Sequence, residues 1–313
     1  MTHYILDCDP GHDDALALLV AARHLSLVGV TTVFGNSSVA NTTRNAISIL
    51  DAAGLSHIPV AGGAKGPLSG KLHSGETIHG KSGLDGANLP ASTRQPITQS
   101  AAEFIKDQAM QFDDLVIIAV APQTNVAQAL TQYPELRDRI TEISVMGGST
   151  THGNATAAAE FNILADPEAA SIVLGSGIPV TLAGLNITTS FGLTSLEVRK
   201  LMQHSAVVTR EIAGALAFNL SRQSAIYERH FMPIHDVCAV MPYSHPGLIT
   251  YQPMHVAVEC KGEFTRGMTV CDQRGVIAGE GIEISKPANA RVAVACDGAA
   301  IVNALLAALL DYE

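Results

Sequence analysis

Short apolar runs rich in β-branched residues alternate with helical stretches along the chain as far as Leu185. The runs expected to form strands are Tyr4–Leu6, Leu27–Phe34, Ile58–Ala61, Leu115–Val120, Ile143–Met146 and Val180–Ala183. The helices expected between them run from about Asp13 to Ala22, through Ala46 and Leu50, near Ser100–Met110, from Asn125 and from Pro167. This alternation is typical of βαβ units, and unbroken apolar runs indicate strands that are covered on both faces. The pattern therefore predicts an α/β fold with an open, mostly parallel sheet flanked by helices.

Beyond Leu185 the order of elements changes, and we expect this part to pack on the edge of the main sheet. The expected elements are two helices, Ser195–Met202 and Val207–Gln223, strands around His255–Cys260, Gly267–Val270 and Arg291–Ala295, and a closing helix, Gly298–Leu310. Two long loops, Gly62–Thr93 and Ala225–Ile234, are candidates for lids or binding loops. Because no linker or internal repeat interrupts the chain, residues 1–313 are predicted to form a single domain.

Composition narrows the classes of protein that fit this pattern. The 313 residues are 47% hydrophobic and carry a net charge of -10 without a Lys/Arg cluster, so nucleic acid is not an expected partner. No apolar run approaches the roughly 18 residues of a membrane-spanning helix, so we expect no membrane contact. The five cysteines are widely spaced, and no secretory signal precedes the first strand. These features predict a cytoplasmic protein without disulfides or a zinc site.

Four carboxylates fall within eight residues in Asp7-Cys8-Asp9-Pro10-Gly11-His12-Asp13-Asp14, where a predicted strand ends and a helix begins. Asp13 and Asp14 could simply cap that helix. However, neighbouring carboxylates raise one another's pKa unless a cation neutralises them, and no Lys or Arg lies between Thr2 and Ala22. A metal ion is therefore expected. Oxygen ligands and space for substrate hydroxyls favour calcium over magnesium.

Further polar residues follow the later strands, where the carboxyl ends of a parallel sheet share one edge. They are Asn36 after the second strand, Val120 to Asn125 after the fourth, the Met146-Gly147-Gly148 turn, Asn154, Glu160 to Asn162, and His235-Asp236. Each is a weak signal alone, since an Asn after Gly is commonly a turn residue. Together they supply the acids, amides and imidazole that a polyhydroxylated substrate needs.

These segments together resemble the nucleoside hydrolases, calcium-dependent enzymes that split nucleosides into ribose and free base. The similar segments are the Asp7 to Asp14 motif, Thr31-Thr32-Val33-Phe34-Gly35-Asn36, Val145-Met146-Gly147-Gly148, Gly153-Asn154-Ala155-Thr156, Ala159-Glu160-Phe161-Asn162-Ile163, Ala165-Asp166-Pro167-Glu168-Ala169-Ala170 and Pro233-Ile234-His235-Asp236. They follow in the family's order over nearly the whole chain. The resemblance implies the nucleoside hydrolase fold with its Rossmann-like core, and a homo-oligomer, either dimer or tetramer.

The resemblance also implies roles for individual residues. Calcium would be held by the carboxylates of Asp9, Asp14 and Asp236 and by the backbone carbonyl of Val120. The residues implied to contact the sugar are Asp13, Asn36, Met146, Asn154, Glu160, Phe161 and Asn162. Asp9 is the expected general base toward the attacking water. His235 is the leading candidate for assisting the departing base, and His79 is the second, although a His in a long loop can also have no role.

The segment before His235 bears on the choice of base. Gln223 and Tyr227 fall at positions where pyrimidine-preferring members of the family resemble this sequence. Residues four apart share one face of a helix. An amide and a phenol can pair with the exocyclic groups of uracil or cytosine, so uridine and cytidine are the expected substrates in nucleoside salvage. Both residues could instead simply end a helix, and a purine-preferring or nonspecific hydrolase is the alternative.

The sequence differs from the family pattern at two places, and two other classes of protein are alternatives to this interpretation. Ala121-Pro122-Gln123 replaces a common Gly-containing segment, and Asn186 stands where an Asp is common, which could alter a supporting hydrogen bond rather than a metal ligand. The Asp7-x-Asp9 spacing is also similar to haloacid dehalogenase-like phosphatases, but Gly11 occupies the place of their Thr or Val. A non-catalytic ribose-binding protein would not need Asp9 or His235.

Overall fold

The computed structural model describes residues 1–275 and 285–313 and contains a nine-stranded sheet with the order β10-β9-β11-β6-β5-β4-β1-β2-β3. Its strands are β1 (His3–Cys8), β2 (Ser26–Thr32), β3 (Val60–Gly62), β4 (Leu115–Ala119), β5 (Ile140–Met146), β6 (Val180–Ala183), β9 (Ile249–Val258), β10 (Thr269–Asp272) and β11 (Ala290–Cys296). The neighbouring pairs β3/β2, β2/β1, β1/β4, β4/β5, β5/β6 and β6/β11 are parallel, and the pairs β11/β9 and β9/β10 are antiparallel. A separate antiparallel pair joins β7 (Gly192–Thr194) to β8 (Phe231–Pro233). The predicted open, mostly parallel α/β sheet is confirmed.

Helices cover both faces of this sheet. They are α1 (His12–His24), α2 (Val39–Ala52), α3 (Glu76–His79), α4 (Ala101–Gln111), α5 (Thr124–Gln132), α6 (Phe161–Ala165), α7 (Pro167–Leu174), α8 (Leu185–Thr188), α9 (Ser195–Met202), α10 (Val207–Tyr227), α11 (Val237–Ser244) and α12 (Gly298–Leu310), with a 3₁₀ turn at Pro134–Asp138. Helices α10, α11 and α12 pack against α1, whereas α5 packs against both α4 and α7. No helix among the described residues is long and apolar enough to cross a bilayer.

Two large apolar clusters form the core, one on each face of the sheet. Along β1, Leu6 belongs to one cluster and its neighbour Ile5 to the other, and both are fully buried. The same alternation places Ile118 and Ile117 of β4 on opposite faces. Side chains alternate between faces along a strand, so a strand covered on both sides is apolar at every position. The core thus fixes the central strands and the direction of their carboxyl ends.

The C-terminal elements extend the main sheet, as expected, but three details differ from the prediction. The segment Ala225–Ile234 is not a long loop, because α10 continues to Tyr227 and β8 follows. Helix α11 is not among the predicted elements. It lies directly after the His235-Asp236 motif and contains Pro242, which obscures the helical pattern. Strand β9 begins at Ile249, earlier than the predicted His255. The single domain stays a prediction.

The segment Gly62–Thr93 is tied to the sheet edge by buried polar side chains. Asn125 Oδ1 accepts the Ala64 N–H at 2.9 Å, and Asp166 Oδ2 accepts the Leu68 N–H at 2.8 Å. Farther along, His12 Nε2 lies 3.0 Å from the Asp85 carbonyl. These contacts hold α3, which carries His79, against the carboxyl end of β1.

Candidate active site

The acidic segment after β1 folds back on itself at the start of α1. Asp14 Oδ1 accepts the backbone N–H of Asp9 at 3.0 Å, and its Oδ2 accepts the Gly11 N–H at 3.1 Å. Asn36 reaches the same place from the end of β2 and donates its Nδ2–H to Asp14 Oδ2 at 2.8 Å. Asp14 therefore does cap α1, as the simpler interpretation holds, and it is also joined to the strand ends.

Three carboxylates meet beneath this turn. Asp13, Asp14 and Asp236 place oxygen atoms within 4.8 Å of one another. Burial, followed by repulsion from Asp14, raises the pKa of Asp13 to about 8. Burial and the neighbouring acids also raise the pKa of Asp236 well above its usual range. Acids packed this closely, with no ion pair to a Lys or Arg among the described residues, favour a bound cation, which would restore their charged forms. Asp13, expected at the sugar, therefore lies among the possible metal ligands.

Asp9 lies beside this group with one oxygen uncommitted. Its Oδ2 accepts the backbone N–H of Asn36 at 2.6 Å, whereas the buried Oδ1 has no hydrogen-bond partner within residues 1–275 and 285–313. Burial and repulsion from Asp14 raise the pKa of Asp9 well above its ordinary value. A buried polar atom without a partner is costly, which indicates that a ligand completes it.

The carbonyl oxygens at the ends of β4 and β5 are organised by Asn162. Its Nδ2 donates to the Val120 carbonyl at 3.0 Å and to the Met146 carbonyl at 3.2 Å. The Asn162 side chain thus fixes the position of the Val120 carbonyl, which retains a second lone pair for another partner. This role in positioning the backbone was not foreseen from the sequence.

Glu160 is a buried carboxylate held by backbone donors at the start of α6. Its Oε1 accepts the Asn162 N–H at 2.9 Å, and its Oε2 accepts the N–H groups of Gly148 and Ile163, each at 3.1 Å. Burial outweighs these bonds and raises the pKa of Glu160 to about 7. Asn154 Oδ1 accepts the Phe161 N–H at 2.9 Å, which holds the exposed loop after β5 over this carboxylate.

His79 stacks on His12 with ring centroids 4.9 Å apart, and its Nδ1 accepts the His12 backbone N–H at 3.2 Å. Because Nδ1 accepts, the proton of the neutral ring is on Nε2. Asn219 of α10 donates to His12 Nδ1 at 2.9 Å, which fixes the second ring. Burial lowers the pKa of His79 well below its ordinary value. His79 therefore presents a neutral N–H donor.

His235 follows β8 and contacts Thr188, with Nδ1 lying 2.8 Å from the hydroxyl oxygen. Burial lowers the pKa of His235 to about 4, so this imidazole is also neutral at pH 7. Both candidate histidines can therefore act at neutral pH through hydrogen bonds as neutral rings.

The far wall of the site is built from the end of α10. Gln223 is buried, and its Oε1 has no hydrogen-bond partner in the described part of the chain. Tyr227 is the last residue of α10, with 44% of its surface exposed and the Arg229 guanidinium 5.2 Å from its ring centroid. Gln223 Oε1 is thus available to accept a hydrogen bond from a ligand, whereas Tyr227 lies at the solvent-exposed entrance of the site.

These parts surround a cavity of about 520 Å³, a size suited to a small organic ligand. Its walls include all the residues expected at the sugar, namely Asp13, Asn36, Met146, Asn154, Glu160, Phe161 and Asn162. They also include His79, His235, Gln223 and Tyr227, together with Val120 and Asp236. Asn219 lines the cavity as well, and its spacing of four residues from Gln223 is the signal that could have revealed it.

The two departures from the family pattern lie behind these walls. Asn186 donates to the Ala293 carbonyl at 2.8 Å and accepts the Thr150 N–H at 3.4 Å, so it supports backbone near the site. Gln123 is buried, and neither of its side-chain polar atoms has a partner among the residues that the structure describes.

The cavity thus lies at the carboxyl edge of the sheet and is lined by acids, amides and neutral imidazoles. The model of the inosine-uridine preferring nucleoside hydrolase family matches residues 4–303. The chain belongs to this family and is an enzyme that cleaves nucleosides, which confirms the resemblance seen in the sequence. Membership of this family favours neither a haloacid dehalogenase-like phosphatase nor a non-catalytic ribose-binding protein, the two alternatives considered from the sequence.

Curated relatives are similar over nearly the full length. The pyrimidine-specific ribonucleoside hydrolase RihA of Shewanella sp. (strain ANA-3) is 40% identical, with 98% of this chain and 96% of the relative covered. The protein of the same name from Enterobacter sp. (strain 638) is 42% identical over 86% of this chain and 87% of its own.

Solved structures share the whole fold. The plant nucleoside hydrolase PpNRh1 superposes with a TM-score of 0.93 at 28% identity, covering 99% of each chain. The purine-preferring ribonucleoside hydrolase from Gardnerella vaginalis has a TM-score of 0.89 at 31% identity, covering 99% of this chain and 98% of its own. Members of this family therefore carry names with different base preferences on a common fold, so the fold alone does not specify the base.

Proposed function

We propose that this enzyme hydrolyses the N-glycosidic bond of ribonucleosides to ribose and free base, depends on calcium, and prefers uridine and cytidine. The observation that carries the proposal is the buried acidic group beneath the cavity, with Asp9 Oδ1 beside it and without a partner among the described residues. Such a group is suited to a cation and a water molecule next to a ribose.

The donor set fits a hard cation, because every candidate ligand is an oxygen. The carboxylates of Asp9, Asp14 and Asp236 and the carbonyl of Val120 would hold calcium, and Asp13 is close enough to Asp14 and Asp236 to take part. When bound, the ion supplies the positive charge that offsets these carboxylates and orients the ribose hydroxyls. The surrounding polar side chains then bind the remainder of the sugar.

The bond to the base breaks through a transition state with positive charge on the sugar, so nearby carboxylates favour it. Asp9 is the proposed general base, since its Oδ2 is fixed by Asn36 while Oδ1 is available to accept a proton from the attacking water. The bond to Asn36 keeps the carboxylate in one orientation. Asp9 therefore orients the water as well as taking its proton.

The departing base is assisted by hydrogen bonds from neutral imidazoles. His79 carries its proton on Nε2 because the His12 N–H occupies Nδ1, and His79 lines the cavity. His235 lines the same cavity, with Thr188 at its Nδ1. Each ring can donate to a heteroatom of the base as negative charge develops there.

Pyrimidine preference is supported by Gln223 and Tyr227 on the base side of the cavity and by the names of the curated relatives. The buried Gln223 Oε1 can accept a hydrogen bond from the N3–H of uracil or the amino group of cytosine. A purine-preferring enzyme is the second candidate, because a structural neighbour with 31% identity carries that description.

We also propose a cytoplasmic role in nucleoside salvage and a homo-oligomeric state, either dimer or tetramer. The five cysteines are free thiols, which is typical of a reducing compartment. Light scattering coupled to size-exclusion chromatography tests the assembly: a mass of two or four chains supports it, and a monomer at micromolar concentration contradicts it.

The substrate assignment is tested by following base release chromatographically from uridine, cytidine, inosine and adenosine. Each reaction is run with purified protein, after chelation, and after calcium is restored. We expect uracil release to exceed hypoxanthine release, to stop on chelation and to return with calcium. Faster cleavage of inosine would retain the hydrolase and overturn the pyrimidine preference, whereas full activity after complete chelation would overturn the metal dependence.

A further inference from the structure

A second cavity, separate from the acidic one, lies beyond the edge strand β3. It is open to solvent, has a volume of about 470 Å³ and is bordered by three segments of chain: the first half of α2, the end of β3, and the stretch that returns toward α4. The charged and polar side chains that line it include Arg44, Ser48, Lys65, Arg94 and Gln95. The cavity shares no lining residue with the active site among the described residues.

The lining is strongly basic. Arg44, Lys65 and Arg94 all contribute to it, and no Asp or Glu is present among its described lining residues. This contrasts with a chain whose acids outnumber its Lys and Arg by 29 to 19. A concave surface lined by one sign of charge concentrates ions of the opposite sign.

Two of the three cations are uncommitted. Arg94 is partly buried, forms an ion pair with Asp51 at 2.9 Å and donates to the Ile58 carbonyl at 2.7 Å. Arg44 and Lys65 are exposed and form no ion pair within residues 1–275 and 285–313. Arg94 is thus a fixed, neutralised part of the wall, and the net positive charge of the cavity comes from Arg44 and Lys65.

The wall itself is held in place by backbone and side-chain bonds. The Ile97 N–H donates to the Val60 carbonyl at 2.9 Å, which ties the returning stretch to β3. Ser92 donates its hydroxyl to Asp51, the same carboxylate that pairs with Arg94. Three segments distant in sequence are therefore joined around this space before any ligand enters.

We propose that this cavity binds a small molecule bearing a phosphate group, with Arg44 and Lys65 contacting the phosphate. A phosphate accepts charge-assisted hydrogen bonds from guanidinium and ammonium groups, and Arg can contact it with two N–H groups at once. The volume exceeds what a bare phosphate needs and lies within the range of organic-ligand sites. Ser48 and Gln95 provide polar contacts for hydroxyls on the remainder of such a ligand.

The test is a calorimetric titration of the full chain with inorganic phosphate and, separately, with glycerol 3-phosphate, at ionic strength matched with sodium chloride. The diagnostic variant is R44Q/K65Q. The matched control is R137Q/K200Q, which also removes two positive charges, from exposed positions outside the cavity. Melting temperature and uridine cleavage are measured for both variants to show that the fold is intact.

Saturable binding to the wild type and to R137Q/K200Q, weakened by about tenfold or more in R44Q/K65Q, supports the site. Equal affinity for both ligands would assign recognition to the phosphate group alone, and tighter binding of glycerol 3-phosphate would add the neighbouring polar side chains. Equal binding to all three proteins, or no saturable binding of either ligand, overturns the proposal. Because the readout is binding, this result is independent of which nucleoside the enzyme cleaves.

Discussion

The substitution Asp9→Asn removes the proposed general base with little change of shape. Asp9 Oδ2 accepts the Asn36 N–H at 2.6 Å, and an asparagine can keep an oxygen at that position while its amino group takes the place of Oδ1. Burial and repulsion from Asp14 raise the pKa of Asp9 well above its ordinary value. The amide is uncharged and close to the carboxylate in shape, so it should cost no more than about 1 kcal/mol of stability.

The loss of activity should be far larger than the loss of stability. An amide cannot accept the proton of the attacking water, and general-base catalysis contributes about 10²- to 10⁴-fold to a rate. We therefore expect kcat for uridine to fall by about that factor at saturating calcium. The neutral amide also removes one negative ligand, so calcium affinity should decrease.

The assay is steady-state uracil release over a range of calcium concentrations, together with melting curves in chelator. The control is Asp113→Asn, the same chemical change at a carboxylate whose side chain is 95% exposed, and it should leave kcat unchanged. A kcat for Asp9→Asn within tenfold of wild type at saturating calcium would refute the assignment of Asp9 as the base.

Three further predictions concern the sugar, the base and pH. Uridine should exceed 2'-deoxyuridine in kcat/KM by at least about 100-fold, because a site that binds a hydroxyl rejects the analogue lacking it; equal rates would contradict the proposed ribose contacts. Gln223→Leu should lower kcat/KM for uridine by about tenfold more than for inosine, and equal losses in parallel assays would remove Gln223 from base recognition. Burial raises the pKa of Glu160 from 4.5 to about 7, so its contribution to folding is greatest below 4.5 and is lost as pH rises through 7. Urea unfolding in chelator should therefore show the stability of wild type relative to Glu160→Gln falling between pH 5 and 8, by roughly 3 kcal/mol at most, and a pH-independent difference would contradict this.

The central strands could be predicted because burial on both faces leaves a clear sequence pattern. Every residue of β4, Leu115–Ala119, is buried, and successive residues of the strand belong alternately to the two core clusters. Elements outside the sheet carry less information. Helix α11 contains Pro242 and follows directly on a site motif, while β8 has only three residues and owes its structure to pairing with β7.

The acidic part of the site was predictable for a different reason. Asp9 lies between β1 and α1, and Asp13 and Asp14 lie in the first turn of α1, so their proximity follows from the chain itself. Contacts between distant segments leave no such signal. His12 and Asn219 are separated by 207 residues and meet because α10 packs against α1. The support of His79 by His12 could therefore be seen only in the folded chain.

The role of Asn162 shows the same limit. The sequence motif marks it as a sugar contact, but its Nδ2 is engaged with the carbonyls of Val120 and Met146. A side chain that bonds to backbone carbonyls depends on the geometry of two strand ends, which residue type and spacing do not specify. Its amide fixes the Val120 oxygen that we propose as a calcium ligand.

The most direct measurement is the fate of uridine in ¹⁸O-labelled water, followed by mass spectrometry at early times with and without chelation of calcium. We expect unlabelled uracil and ribose carrying one ¹⁸O, formed faster than ribose alone exchanges its anomeric oxygen, and formed only while calcium is present. Cleavage that requires phosphate and yields a ribose phosphate, or labelled ribose produced at the full rate after chelation, would contradict it.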